Sequence, residues 1–107
     1  MAKIIWTEPV LADLGQVAEY IAIDNVPAAK KLVALVFTKV ERLADYPESG
    51  RVPDELEGLK YREVVVPPCR IFYRIEADQV FILYVMRQER DLRRLMIDHE
   101  AMNDLNN

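Results

Sequence analysis

The chain has 107 residues, of which 51% are hydrophobic and 30% are charged, and this composition indicates one folded domain rather than a disordered segment. Its net charge of −4 argues against general nucleic-acid affinity, because proteins that neutralise many phosphates usually carry excess positive charge. A single cysteine, Cys69, and a single histidine, His99, exclude an internal disulfide and a structural zinc site, so we expect no cofactor. With neither a signal peptide nor a bilayer-length apolar segment, we expect a cytoplasmic protein.

The first part of the chain predicts a β-strand followed by two helices. Lys3–Trp6 is a short β-like run, and Thr7 follows it as a candidate N-cap with Pro9 in the first helical turn. Apolar residues then recur at helical spacing to about Asp24, where Asn25 can cap a second helix. Two helices joined by so short a turn are expected to pack antiparallel.

The remaining part of the chain predicts three consecutive strands and a final helix. The strands are expected at 61–66, 69–76 and 79–86. Pro67-Pro68 stops the first of them, and a polar helix is expected from Arg90 to about Asn103, with the last residues frayed. The order β-α-α-β-β-β-α predicts one α+β domain over 1–107. In it, the N-terminal strand and helix hairpin pack on a mostly antiparallel four-stranded sheet.

Arginine is concentrated in the later part of the chain. From Arg51 onward, eight of the nine basic residues are arginine, which suits planar contacts to carboxylate or phosphate. Alternation along strand 69–76 places Arg70, Phe72 and Arg74 on one face and the apolar set of Ile71, Tyr73 and Ile75 on the other. We expect the apolar face to meet the helices, with Tyr73 in the core. The other face, joined by Arg62, is expected to be open, with Phe72 covered by a partner or by the C-terminal helix.

Several motifs carry a family resemblance: the early strand and helix hairpin, Leu43 with YPESGR at 46–51, YREV at 61–64, CRIFYRI at 69–75, and the segment 85–91. Their order and spacing resemble the RelE/ParE superfamily of type II toxin–antitoxin toxins over nearly the whole chain. The resemblance implies a growth-inhibiting toxin associated with plasmid stabilisation. It also implies a cognate antitoxin that neutralises the toxin in a hetero-oligomeric complex.

The superfamily has two branches with different targets. RelE-like members are ribosome-dependent mRNA endoribonucleases, which need a proton acceptor, a proton donor and cations for the developing phosphate charge. Arg62, Arg87 and Arg90 supply cations under this hypothesis, with ribosome and mRNA as partners. Arginine, however, stays protonated near neutral pH and does not serve as the proton donor or acceptor. Glu63 and Glu89 could accept a proton, but each is more simply explained as an ion-pair partner of nearby arginines. The sequence therefore offers no convincing catalytic pair.

ParE-like members poison DNA gyrase and need no nuclease site, and we favour this hypothesis. An acidic net charge agrees with it, because direct ribosome binders are usually basic. The predicted gyrase contacts are Arg87, Arg90, Arg93 and Arg94. The predicted antitoxin contacts are Arg62, Arg70, Phe72 and Arg74. Two alternatives stay open, an mRNA interferase and a non-toxic partner-binding relative, and enzyme activity is expected only under the first.

Overall fold

The computed structural model describes residues 1–87, without the side chain of Glu55, and shows two helices beside a four-stranded sheet. The helices and strands are β1 Lys3–Trp6, α1 Glu8–Ala22, α2 Val26–Glu41, β2 Arg62–Val66, β3 Cys69–Glu76 and β4 Gln79–Arg87. Three single turns of 3₁₀-helix follow α2, at Arg42–Ala44, Pro47–Ser49 and Asp54–Leu56. The predicted α+β fold is confirmed, whereas the predicted C-terminal helix lies outside the described residues.

The two helices begin at the positions that the sequence indicates, but their first turns are held differently. Asn25 caps α2, because its side-chain Oδ1 accepts a hydrogen bond from the backbone N–H of Ala28 at 3.0 Å. Thr7 occupies the N-cap position of α1 without a capping hydrogen bond. Its hydroxyl instead donates to the carbonyl of Ile82 at 3.1 Å, which fastens the start of α1 to β4.

The sheet has the strand order β1-β4-β3-β2, in which β1 runs parallel to β4 and the other pairs are antiparallel. The register of β3 and β4 shifts once: Phe72 is opposite Tyr84, but Tyr73 is opposite Ile82. Leu83 is therefore an extra residue that forms a β-bulge. Without this bulge, alternation would turn Val85 away from the helices, since a one-residue slip exchanges the two faces of a strand.

The helix hairpin covers one face of the sheet and forms the main core with it. The buried side chains of this core come from α1, α2, the turn that follows α2, and all three strands β2 to β4: Val10, Leu14, Leu32, Val36, Val40, Leu43, Val66, Cys69, Ile71, Tyr73, Val80, Ile82 and Val85. Each large aliphatic side chain contributes about 1.5–3 kcal/mol by burial. In the described part of the chain, neither helix is long and apolar enough to cross a membrane.

Candidate functional site

Charged and aromatic side chains dominate the sheet face that is turned away from the helices, which we call the outer face. Its members alternate along β2 and β3 and lie on both sides of the bulge in β4: Glu63, Val65, Arg70, Phe72, Arg74, Phe81, Tyr84 and Met86. The Arg70 guanidinium stacks on the Phe72 ring with 4.9 Å from its carbon to the ring centroid. Such a cation–π contact requires both side chains on one face, so the predicted grouping of Arg70 with Phe72 is confirmed.

Glu63 is a fully buried carboxylate that joins two arginines. Its Oε1 accepts a hydrogen bond from Arg51 Nε, and its Oε2 accepts one from Arg70 Nε, both at 2.7 Å. The Arg51 side chain is 66% exposed, whereas that of Arg70 is only 12% exposed. A buried carboxylate is stable only with such partners, because its desolvation is otherwise uncompensated. Glu63 is thus an ion-pair partner, as the sequence indicated.

Phe72 is buried, so the expectation that this position is open is wrong. Its predicted contact with the C-terminal helix lies outside the described residues, and its predicted contact with a partner stays a prediction. Its side chain is completely buried in a small cluster with Leu56 and Met86, flanked by Tyr61 and Tyr84. Leu56 comes from the loop 52–61 before β2, which we call the strap. The strap has no periodic pattern, so strand alternation alone could not reveal that it covers Phe72.

Arg74 is the outer-face arginine whose hydrogen bonding is least complete. One of its terminal nitrogens contacts a carboxylate oxygen of Glu76 at 2.9 Å, with both side chains partly exposed. An ion pair of this kind contributes about 0–1 kcal/mol. The Nε of Arg74 is buried and has no hydrogen-bond partner among the described residues. The exposed part of Arg74 is therefore its terminal guanidinium nitrogens, which solvent and Glu76 share.

Arg62 lies on the helix side of the sheet, and the prediction that it joins the outer face is wrong. It is opposite Tyr73 in the β2–β3 register, and side chains alternate along β2, so Arg62 and Glu63 point to opposite faces. The Nη1 of Arg62 donates to the carbonyls of Gly50 at 2.8 Å and Glu48 at 3.1 Å. Its charge therefore holds the loop before the strap.

The same loop is held by the hydroxyl of Tyr73. This hydroxyl donates to the carbonyl of Pro47 at 2.6 Å and accepts from the N–H of Gly50 at 2.9 Å. Burial raises the pKa of Tyr73, which keeps its proton available for donation to Pro47. Sequence reasoning assigned Tyr73 to the core but missed this hydrogen-bonding role, which a buried tyrosine usually needs.

Arg87 lies far from Arg62, although both were candidate cations for one phosphate. Its guanidinium carbon is 4.9 Å from the ring centroid of Tyr20 on α1. In the sheet register Arg87 is opposite Cys69 and Arg62 is opposite Tyr73, with β3 between them. The two residues are offset by four positions along the strands and by two strand spacings across the sheet. Their backbones are therefore about 16 Å apart. The structure therefore does not bring Arg62 and Arg87 together.

Other sequence candidates are only partly described. Arg90, Arg93, Arg94 and His99 lie outside residues 1–87. Cys69 is a buried free thiol that packs in the main core. Within residues 1–87, no group of three His, Cys, Asp or Glu side chains is arranged to hold a metal ion.

Asp13 on α1 lines a groove with Tyr20 and Arg87 and was not predicted from the sequence. Burial raises the pKa of its carboxyl group above the ordinary value of 3.8. Protonated Asp13 therefore contributes to the stability of the folded state. This stability is fully present below the pKa that Asp13 has in the unfolded chain, and it is lost as pH rises through the pKa that Asp13 has in the folded protein.

The variant Asp13→Asn is expected to raise the midpoint of thermal unfolding at pH 7, because it removes a carboxylate that the fold destabilises. The gain should shrink below about pH 4, where the carboxyl of the unfolded wild-type chain is also protonated. Thermal unfolding followed by circular dichroism from pH 3 to pH 8 measures this difference. Glu19→Gln, at an exposed position of the same helix, is the control. Equal, pH-independent gains in both variants would contradict the assignment to Asp13.

Comparisons with known proteins agree with this architecture. Residues 4–92 match the profile of a family described as "ParE toxin of type II toxin-antitoxin system, parDE". The chain is 36% identical over 91 residues to the "Toxin RelE2" of Caulobacter vibrioides, a match that covers 84% of this chain and 99% of that protein. Its fold is similar to a chain of the "Chromosomal ParDE TA system from P. aeruginosa", with a TM-score of 0.70 and 23% identity over 83% of this chain and 98% of that chain.

Proposed function

Because the chain belongs to the ParE toxin family of type II toxin–antitoxin systems, we propose that it poisons DNA gyrase and is neutralised by a cognate antitoxin. The single observation that carries the proposal is the family match over residues 4–92. This match also confirms the RelE/ParE resemblance that the motif order predicted. Gyrase as the target and the contact residues below go beyond that match.

The arginine geometry supports inhibition by protein contact over nuclease chemistry. The Arg62 guanidinium is bound to backbone carbonyls, and Arg87 stacks on Tyr20 at the other end of the sheet. With backbones about 16 Å apart and each guanidinium held by a different part of the fold, the two arginines are not arranged to stabilise charge on one phosphate group. We therefore propose Arg87, together with Arg90, Arg93 and Arg94, as the contact with gyrase.

The outer face is the proposed antitoxin surface, through Arg70, Arg74 and the apolar cluster around Phe72. It combines cations with an aromatic and aliphatic patch, which suits a segment that carries both carboxylates and apolar side chains. Charged contacts of this kind give specificity and fast association more than affinity. Arg62 is proposed to act indirectly, by holding the loop at Glu48 and Gly50 that leads into the strap.

Arg74→Glu is expected to weaken antitoxin binding at least about tenfold, because it reverses the charge of a partly exposed side chain at the proposed surface. The side chain is partly exposed, so the domain should stay folded. Isothermal titration calorimetry at two salt concentrations measures the loss of antitoxin affinity and the part of that loss that depends on ionic strength. Arg42→Glu, which makes the same charge change at an exposed position beyond α2, is the matched control. Equal weakening by both variants would show a general charge effect and contradict the proposed surface.

Expression of the chain in bacteria, with and without the antitoxin gene, tests the proposal in cells. We expect growth arrest, DNA breaks and relaxed plasmids, all reversed by the antitoxin. Growth arrest with normal plasmid supercoiling and cut mRNA would contradict gyrase poisoning and favour an mRNA interferase. Unimpaired growth of cells that contain the folded toxin would contradict both.

A further inference from the structure

The strap is a closed loop that is joined to the sheet at its base. Arg51, just before it, and Glu63, just after it, exchange backbone hydrogen bonds of 3.1 and 2.8 Å. The backbone bonds recorded inside the strap are local: the N–H of Leu56 donates to Pro53 and that of Leu59 donates to Leu56, both at 3.0 Å. The strap can therefore move away from the sheet without breaking these bonds or the bridge at its base.

Leu56 is the main side chain that holds the strap on the outer face. It is 4% exposed and packs on Phe72 and Met86, whereas Leu59 in the same strap is 54% exposed. Pro53 is also buried near the base, and Tyr61, at the end of the strap, is partly buried against the same cluster. A segment held by so few buried side chains opens more readily than the whole domain unfolds.

The strap resembles in its chemistry the segment that the outer face would bind. Leu56 stands in the sequence Asp54-Glu55-Leu56-Glu57, an apolar side chain between acidic residues. Leu56 packs in the cluster with Phe72, and the Phe72 ring also stacks with the guanidinium of Arg70. The chain thus already places a leucine, flanked by acidic residues in the sequence, against an aromatic ring on which an arginine stacks.

We propose that the strap is an internal cover of the antitoxin site, and that the antitoxin displaces it by inserting an apolar side chain, flanked by carboxylates, where Leu56 lies. This inference rests on the proposed antitoxin surface. The occupant is identified by charge complementarity with Arg70 and Arg74 and by the chemistry of the strap. The antitoxin and the strap then compete for the same site on the outer face. Only the fraction of free toxin molecules whose strap is open can bind the antitoxin at any moment.

Hydrogen–deuterium exchange of the wild-type toxin, free and in complex with its cognate antitoxin, tests the displacement directly. We expect exchange to slow along β3, at 70–74, and to accelerate in the strap, with the amides of Leu56 and Leu59 as reporters. Protection of 70–74 with unchanged or slower strap exchange would overturn the inference and leave the antitoxin surface standing. A stable complex that leaves 70–74 unprotected would overturn both.

The rate at which the toxin associates with the antitoxin provides a second test of the proposal. Leu56→Ala is expected to raise the association rate constant about tenfold, because it weakens the cover and enlarges the binding-competent fraction. Leu59→Ala, an equal truncation at an exposed position of the strap, should leave the rate unchanged. Stopped-flow mixing with labelled antitoxin measures both, after circular dichroism has verified folding. An unchanged rate for Leu56→Ala would overturn the proposal, and the exchange measurement on the wild type decides it if this variant fails to fold.

Discussion

Replacing Gly50 by alanine is expected to destabilise the fold by about 3 kcal/mol and to lower the unfolding midpoint by about 10 °C or more. The expected cause is a steric clash and not backbone conformation, because Gly50 has φ −71° and ψ 151°, which any residue adopts. A Cβ at this position would contact the Tyr73 hydroxyl and lie 2.7 Å from the Tyr73 ring and 2.8 Å from the carbonyl oxygen of Glu63. The loop would have to withdraw and lose its hydrogen bonds to Tyr73.

The matched control is Gly15→Ala, because a Cβ at Gly15 meets no atom within 4 Å. Gly15 lies inside α1, where alanine is favoured over glycine by about 0.5–1 kcal/mol. Thermal and urea unfolding of both variants should therefore give changes of opposite sign. A Gly50→Ala variant as stable as the wild type would show that the loop does not depend on its contact with Tyr73.

Glu63→Ala is expected to cost about 3–5 kcal/mol, because it removes one partner from a buried ion pair. Arg70, whose side chain is 12% exposed, would lose the buried carboxylate that its Nε contacts at 2.7 Å while its guanidinium stacks on the Phe72 ring. Arg51 would lose the same carboxylate but can turn into solvent, since its side chain is 66% exposed. Most of the expected loss therefore comes from Arg70, and it should be measurable by urea unfolding.

Glu76→Ala is the matched control for this prediction. Glu76 also pairs with an arginine of β3, but its side chain is 52% exposed and that of Arg74 is 35% exposed. Solvent screens such a pair, so its removal should cost about 0–1 kcal/mol. Similar losses for the two variants would contradict the special role assigned to the buried carboxylate of Glu63.

Local sequence signals were sufficient to predict the α-helices and β-strands of residues 1–87. Hydrophobic spacing of 3.6 residues predicted α1 and α2, and Asn25 caps α2 as expected. Pro67-Pro68 and the turn at Ala77-Asp78 separate the three later strands, which differ from prediction by at most one residue at an end. These signals succeed because capping, turn chemistry and side-chain periodicity act over a few residues.

The register of the first hairpin could also have been predicted, but the prediction for Arg62 did not use it. A two-residue turn at Pro67-Pro68 pairs Val66 with Cys69, and counting back from this pair places Arg62 opposite Tyr73. Arg62 must then share the face of Tyr73, toward the helices. Alternation within β2 alone does not show this face, because it follows only from the pairing of β2 with β3.

Contacts made by irregular segments could not be predicted from local patterns. The burial of Phe72 depends on Leu56, which lies in a strap whose path follows no period. The bulge at Leu83 likewise depends on how β4 fits against both β3 and the helices. Such features result from tertiary packing, so the sequence predicted the composition of the outer face but not its cover.

Gyrase poisoning is tested most directly with purified components. The toxin, free of antitoxin, is added to DNA gyrase and relaxed plasmid, and in parallel to a translation reaction whose mRNA ends are mapped. We expect inhibited supercoiling and trapped DNA cleavage, with intact mRNA. Unaffected supercoiling, with cuts in ribosome-bound mRNA, would contradict the proposal that this toxin acts on gyrase.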